Sequence, residues 1–327
     1  MCKTGELNKA LRFFQKSTKM HTSKESGEAM NSMIYKKKGP LAVFLTPALL
    51  FMAVFLYYPF VMNVVNSFFN ITGLGTAAQG MNTPWYQNYT KLFTDLNMAA
   101  AFGNTMLLMI LTIVFQVGFA LVLALLVDTI RTGSQFFRTV YFFPIVISAT
   151  ALGLLFNLIF LYDGGMVNQL LLKLGIADAN TLIDWKDEGH YLFTMFLPVM
   201  WQYVGFYFVI IVTGLNNISP DIYEAAEIDG AGGFKRVRYI TLPLLHNVLC
   251  TCLVLAVTGA LKVFDLPWVM MGRGIPMDRS WLTGTYMYEQ TFNVGDVDYG
   301  SAIAIVIVVL GVIISQLVNR VLKEKEY

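Results

Sequence analysis

Six long apolar runs set the plan of this chain. They cover roughly residues 41–68, 104–127, 140–161, 191–215, 247–270 and 299–318. Each exceeds the roughly 18 residues that read as a membrane-crossing helix. Pro59 lies inside the first run and is expected to kink it. The fourth contains Pro198 and Gly205. Polar or turn-rich segments separate the runs. Residues 70–100 carry Pro84, Trp85, Tyr86 and Tyr89, and aromatic residues of this kind favour a membrane interface. Residues 162–189 hold Asp163, Asp178, Asp184, Asp187 and Glu188, and 271–298 hold Gly272, Gly274, Pro276 and Trp281. The expected fold is therefore all-α: a six-helix membrane domain over 40–320, between a basic tail at 1–39 and a short tail at 321–327.

The segment between the fourth and fifth runs, 219–243, has its own pattern. Ser219 can cap a helix, Pro220 suits the first helical position, and Asp221 and Glu224 place acid in the opening turns. Gly230 stands where that helix should stop, with Gly232 and Gly233 keeping the turn open. A second short helical stretch follows, with Lys235, Arg236 and Arg238, and Pro243 closes the unit. Helices this short are marginal alone in water. Such a pair between membrane spans is either an ordinary connecting hairpin or a docking element that a partner completes.

Glu224-Ala225-Ala226, then Asp229-Gly230, then Ile240 and Leu242-Pro243, resembles the EAA loop of the permease subunits of ABC importers. The resemblance extends along 41–320. WYQNYTKLFTD at 85–95, GGMVNQLLLKLGI at 164–176, KVFDLPWVMMGRGIP at 262–276, TYMYEQTF at 285–292 and YGSAIAI at 299–305 are similar to segments of the maltose, multiple-sugar and glycerol-3-phosphate permease group. The pattern departs at Arg273, where relatives often carry a second glycine. The resemblance implies a type I importer permease fold in a prokaryotic inner membrane. It implies that the loop is a cytoplasmic coupling helix seated on an ATPase subunit, with Glu224, Ala225, Ala226, Asp229, Gly230, Leu242 and Pro243 as coupling residues. The implied partners are a second homologous permease, two ATPase subunits and an extracellular solute-binding protein, with ATP and Mg on the ATPases and no cofactor on this chain.

Composition and charge bear on this independently. Hydrophobic residues make up 56% and charged residues 13% of the 327, against about a quarter charged in a soluble domain. With six spans both termini share one side. That side, comprising the N-terminal tail, the 131–138 loop, the 219–243 loop and the C-terminal end, carries 17 Lys or Arg; the opposite loops carry five. The positive-inside rule then places both termini and the EAA-like loop in the cytoplasm. Leu7, Leu11 and Phe14 share a helical face in the tail, which can lie on a membrane surface or simply be part of a disordered basic segment.

The chemistry expected of the chain is transport. No Gly-Lys-Ser/Thr follows the glycines of the 219–243 loop, so ATP is expected to bind elsewhere. The three cysteines make no disulfide framework, and His21, His190 and His246 are not at metal-ligand spacing. Polar side chains inside apolar runs are the candidates for a pathway, because lipid burial penalises them. They are Gln116, Asn157, Gln202, Lys262 and Asp265, with Trp201 and Tyr203 offering aromatic faces beside Gln202. The alternative role for each is to join helix to helix, and Lys262 and Asp265, three apart, can pair on one face. A transporter driven by an ion gradient is the rival class. It would favour an inverted repeat and helices broken at midplane, and no clear repeat is visible.

Overall fold

A computed structural model describes residues 38–130, 133–178 and 181–321. The basic tail up to Lys37 and the end of the C-terminal tail lie outside the described residues. Two compact units divide at Met62. The described part of the first is a helix beginning at Lys38, most of the span α1 (Leu41–Asn66), which buries none of its apolar window. Its irregularity is a π-helical turn at Ala53–Tyr57, just before Pro59. Pro59 has no N–H to give the carbonyl of Phe55, and the wider turn absorbs that loss.

The second unit is helical, with two isolated bridges, Phe69 with Met81 and Thr72 with Asp296. Its helices are α2 (Gln87–Thr94), α3 (Leu96–Asp128), α4 (Ser134–Val146), α5 (Ala149–Ile159), α6 (Met166–Lys173), α7 (Tyr191–Asn216), α8 (Pro220–Ile228), α9 (Phe234–Leu244), α10 (His246–Leu261), α11 (Asp265–Met271), α12 (Thr283–Tyr288) and α13 (Val297–Val321). Among the described residues four helices, α1, α3, α7 and α13, are long and apolar enough to cross a membrane unbroken. Two bent pairs, α4–α5 at 91° and α9–α10 at 69°, bring the number to six when each counts as one span.

Three expected boundaries change. The second span starts at Leu96 rather than 104, because Asp95 caps it: its Oδ1 accepts from the N–H of Asn97 at 2.9 Å and of Met98 at 3.3 Å. The third span is two helices meeting at Ile147, whose backbone is extended. The fifth stops at Leu261, and 265–271 is a separate helix, α11, packed on α5. Gly153 makes that packing close, since a Cβ there would lie 2.9 Å from the Val269 side chain.

The core is organised around α7, which packs against α3, α4, α10 and α11. Phe196 and Phe208 on α7, Leu108 on α3, Leu152 on α5 and Met270 on α11 are fully buried. At one end of the bundle, polar groups tie the helix ends together. Asp95 Oδ2 accepts from Tyr286 at 2.5 Å and Tyr299 at 2.7 Å, and Asp298 Oδ2 accepts from Asn82 and Asn88. Burial raises the Asp95 carboxyl, but the two phenols and two backbone N–H groups outweigh it and hold it below the ordinary carboxylate range. At Arg273 the loop is closed by charge: its Nε and Nη2 donate to Glu289 Oε1 at 3.0 and 2.9 Å, and the flanking Gly272 and Gly274 both have positive φ.

Candidate functional sites: a membrane cavity and a helical hairpin

Five of the seven pathway candidates line one cavity of about 300 Å³. Gln116 comes from α3, Gln202 and Tyr203 from α7, and Lys262 and Asp265 from the junction of α10 with α11. Helix irregularities build the site. A π-helical turn at Thr112–Val117 interrupts α3 and carries Gln116. The Gln116 Nε2 donates to the carbonyl of Val199 at 3.0 Å. Gln202 Nε2 donates at 3.2 Å to the carbonyl of Ile147, the residue at the α4–α5 break. Carbonyls only accept, so the orientation of both amides is fixed by chemistry, and each side chain keeps its oxygen and its second N–H to offer a solute.

Lys262 and Asp265 do not pair: among the described residues no ion pair joins them. The expected shared face is lost because α10 ends between them. Lys262 caps the C-terminal end of α10, and Asp265 opens α11. Each sits at the helix end whose partial charge it complements. Both are exposed and border the cavity.

Asn157 and Trp201 are elsewhere. Asn157 donates to the Val269 carbonyl at 2.9 Å and so links α5 to α11. Trp201 lies edge-on to Phe156, centroids 5.8 Å apart, and lines a separate apolar groove with Phe115, Phe193 and Met200. One residue along α7 from Gln202 is a rotation of about 100°, enough to carry Trp201 to another face. The cavity also takes in Thr112, Tyr207, Gly259 and Phe264. Tyr207 and Phe264 read as ordinary apolar-run residues, so nothing in the sequence marks them.

Gln202→Ala should raise the half-saturation concentration for uptake by up to about tenfold, the worth of one neutral hydrogen bond, in a complex that still assembles. Unchanged kinetics and substrate range in an assembled complex would remove Gln202 from the pathway.

The second site is the α8–α9 hairpin. Ser219 Oγ accepts from the Asp221 N–H at 3.4 Å, and Pro220 takes the first turn. The far end is a Schellman arrangement: Ala231 N–H donates to Ala226 O at 2.9 Å and Gly230 N–H to Glu227 O at 3.1 Å, with Gly230 at φ +76°. The hairpin closes through Tyr223, whose hydroxyl is 3.4 Å from that of Thr241 and whose ring lies under the Arg236 guanidinium at 5.1 Å. Glu224, Ala225, Asp229 and Gly230 are exposed. Ala226 is buried within this chain, and Leu242 and Pro243 are half-buried on α9. The exposed surface also includes Ile222 and Ile228, the latter 87% exposed among the described residues.

Among the described residues no group of three or more His, Cys, Asp or Glu is placed to hold a metal ion. A multi-pass helical bundle with broken spans around a largely apolar cavity that carries a few polar side chains, and a capped hairpin joining two spans, fits a membrane transport protein. The chain belongs to the family of binding-protein-dependent transport system inner membrane components, which it matches over residues 116–325. It is 33% identical over 275 residues to the probable ABC transporter permease protein YurN of Bacillus subtilis, covering 84% of this chain and 92% of that one. It is 30% identical over 284 residues to the sulfoquinovosyl glycerol transport system permease protein SmoG of Agrobacterium fabrum, covering 86% and 90%. Its fold matches a bacterial alginate ABC transporter solved in complex with an alginate pentasaccharide-bound periplasmic protein, with TM-score 0.75 and 21% identity over 89% of this chain and 98% of that one. The chain is thus a permease subunit of a binding-protein-dependent ABC importer, with the type I fold. Broken helices alone also suit an ion-gradient transporter; the family decides between the two.

Proposed function

We propose that this chain forms, with a second permease, the membrane pathway for a sugar or related small polar solute, and that α8 couples the pathway to ATP hydrolysis on separate subunits. The observation that carries the reading is the cavity at the broken spans, where Gln116, Gln202, Tyr203, Lys262 and Asp265 converge. Amide oxygens suit hydroxyl donors, and aromatic walls suit sugar rings. The sulfoquinovosyl glycerol transport of SmoG supports the same solute class. An extracellular binding protein would deliver the solute. Two ATPase subunits, holding ATP and Mg, would close on each other and move the hairpin, switching the cavity from inward-facing to outward-facing. The 17-to-5 distribution of Lys and Arg supports a cytoplasmic hairpin and cytoplasmic termini.

Affinity purification of the tagged chain from its native membrane, with uptake measured in vesicles, tests this. An ATP-hydrolysing subunit and a second permease should co-purify, and uptake should stop with orthovanadate while surviving a protonophore. Uptake that survives vanadate and collapses with the protonophore would overturn the ATP-coupled reading.

A further inference from the structure

The outward strip of α9 has no role in the cavity and is separate from the exposed face of α8. Phe234, Lys235, Arg238 and Tyr239 are exposed and lie at helical spacing on one side. Phe234 is 81% and Tyr239 74% exposed. The opposite side faces the chain: Thr241 is buried, and Arg236 is engaged with the Tyr223 ring. Among the described residues no carboxylate pairs with Lys235 or Arg238.

The direction of α9 says where this strip lies. It meets α10 at 69°. Membrane spans tilt by about 20° from the bilayer normal on average. A helix bent so far from its span runs close to the plane of the membrane surface, at the level where that span ends. Tyrosine with its polar tip, phenylalanine on an interfacial helix and long basic side chains are residue types that partition to this level.

We propose that α9 is an interfacial helix that docks on the bilayer: Lys235 and Arg238 bind the phosphates of anionic phospholipids, and Phe234 and Tyr239 sit among the headgroups. The contact holds the base of the α8 hairpin at a fixed height and makes coupling sensitive to lipid charge. It does not depend on which solute the cavity carries.

The test uses the assembled importer in lipid nanodiscs. A nitroxide is attached to Tyr239→Cys in a background carrying Cys2→Ser, Cys250→Ser and Cys252→Ala, with Asp229→Cys on α8 as the water-exposed reference. In discs of phosphatidylcholine with phosphatidylglycerol, the label at 239 should be reached by oxygen and shielded from a soluble nickel chelate, while the label at 229 is not shielded. Adding Lys235→Gln and Arg238→Gln, or removing the phosphatidylglycerol, should lower the ratio of docked to undocked helix by roughly 25-fold, at about 1 kcal/mol per basic residue. A label at 239 as open to nickel as that at 229 in both lipids would overturn the proposal. So would shielding that ignores both lipid charge and the substitutions. Loss of the ATPase from the double variant to the same extent in both lipids would also overturn it, by making the strip a protein-docking face.

Discussion

Gly230→Val and Glu224→Lys should each abolish uptake while leaving the permease in the membrane. Gly230 closes α8 at φ +76°, where a β-branched side chain is disfavoured by roughly 1–2 kcal/mol or more. Among the described residues nothing lies within 4 Å of the added Cβ, so the substitution strains the turn without disturbing a core. The Schellman bonds that end α8 would open and the hairpin would lose its shape. Glu224 is exposed, and its replacement by Lys reverses a charge on the face proposed to meet the ATPase; like charges brought together at a desolvated contact cost up to several kcal/mol. The expected results are near-normal membrane levels, weaker ATPase co-purification, and ATP hydrolysis no longer stimulated by loaded binding protein. Ala225→Leu on the same exposed face should act in the same direction. Normal uptake in both principal variants would remove the coupling role from α8.

The hairpin was readable because its signals are local. Ser219, Pro220 and Gly230 each act through the backbone of their own turn, and the structure places Ser219 and Gly230 at the two ends of α8 and Pro220 in its first turn. The fourth span was readable to within one residue, because polar residues flank it at His190 and Asn216. The start of the second span was also open to a local reading, through the Asp95 cap. The breaks at Ile147 and beyond Lys262 were not. The first carries only Pro144, Ser148 and Thr150 as local marks in an otherwise apolar run, and what holds the broken carbonyl is Gln202, 55 residues away. For the same reason polarity found five of the cavity residues but could not separate them from Asn157 and Trp201. Which way a side chain faces depends on the π-helical turn in α3 and on the bends, and those follow from packing between distant segments.

Gly205→Val should prevent the protein from accumulating, and Gly205→Ala should already destabilise it strongly. Here α7 passes α4 with backbone against backbone: a Cβ on Gly205 would lie 1.8 Å from the carbonyl oxygen of Tyr141 and 2.5 Å from its carbon. No rotamer change relieves such an overlap, since the obstacle is main chain. The helices must separate, and the layer around Phe208 and Tyr141, whose rings meet edge to face at 5.3 Å, opens with them. Small residues at a membrane helix contact permit this closeness, and dispersion between the two backbones is then a large part of what holds them. Overpacking of a well-packed contact typically costs 1–3 kcal/mol; a clash with unyielding backbone should reach or exceed about 3 kcal/mol for Ala and more for Val. Gly103→Ala is the control. Gly103 lies in α3 with nothing within 4 Å, so Ala there should be neutral or stabilise by up to about 1 kcal/mol through helix propensity. Thermal unfolding of the detergent-purified complex, read with membrane abundance, checks both. A Gly205→Ala protein that melts with the wild type would show that α4 and α7 do not approach as closely as the Tyr141 carbonyl requires.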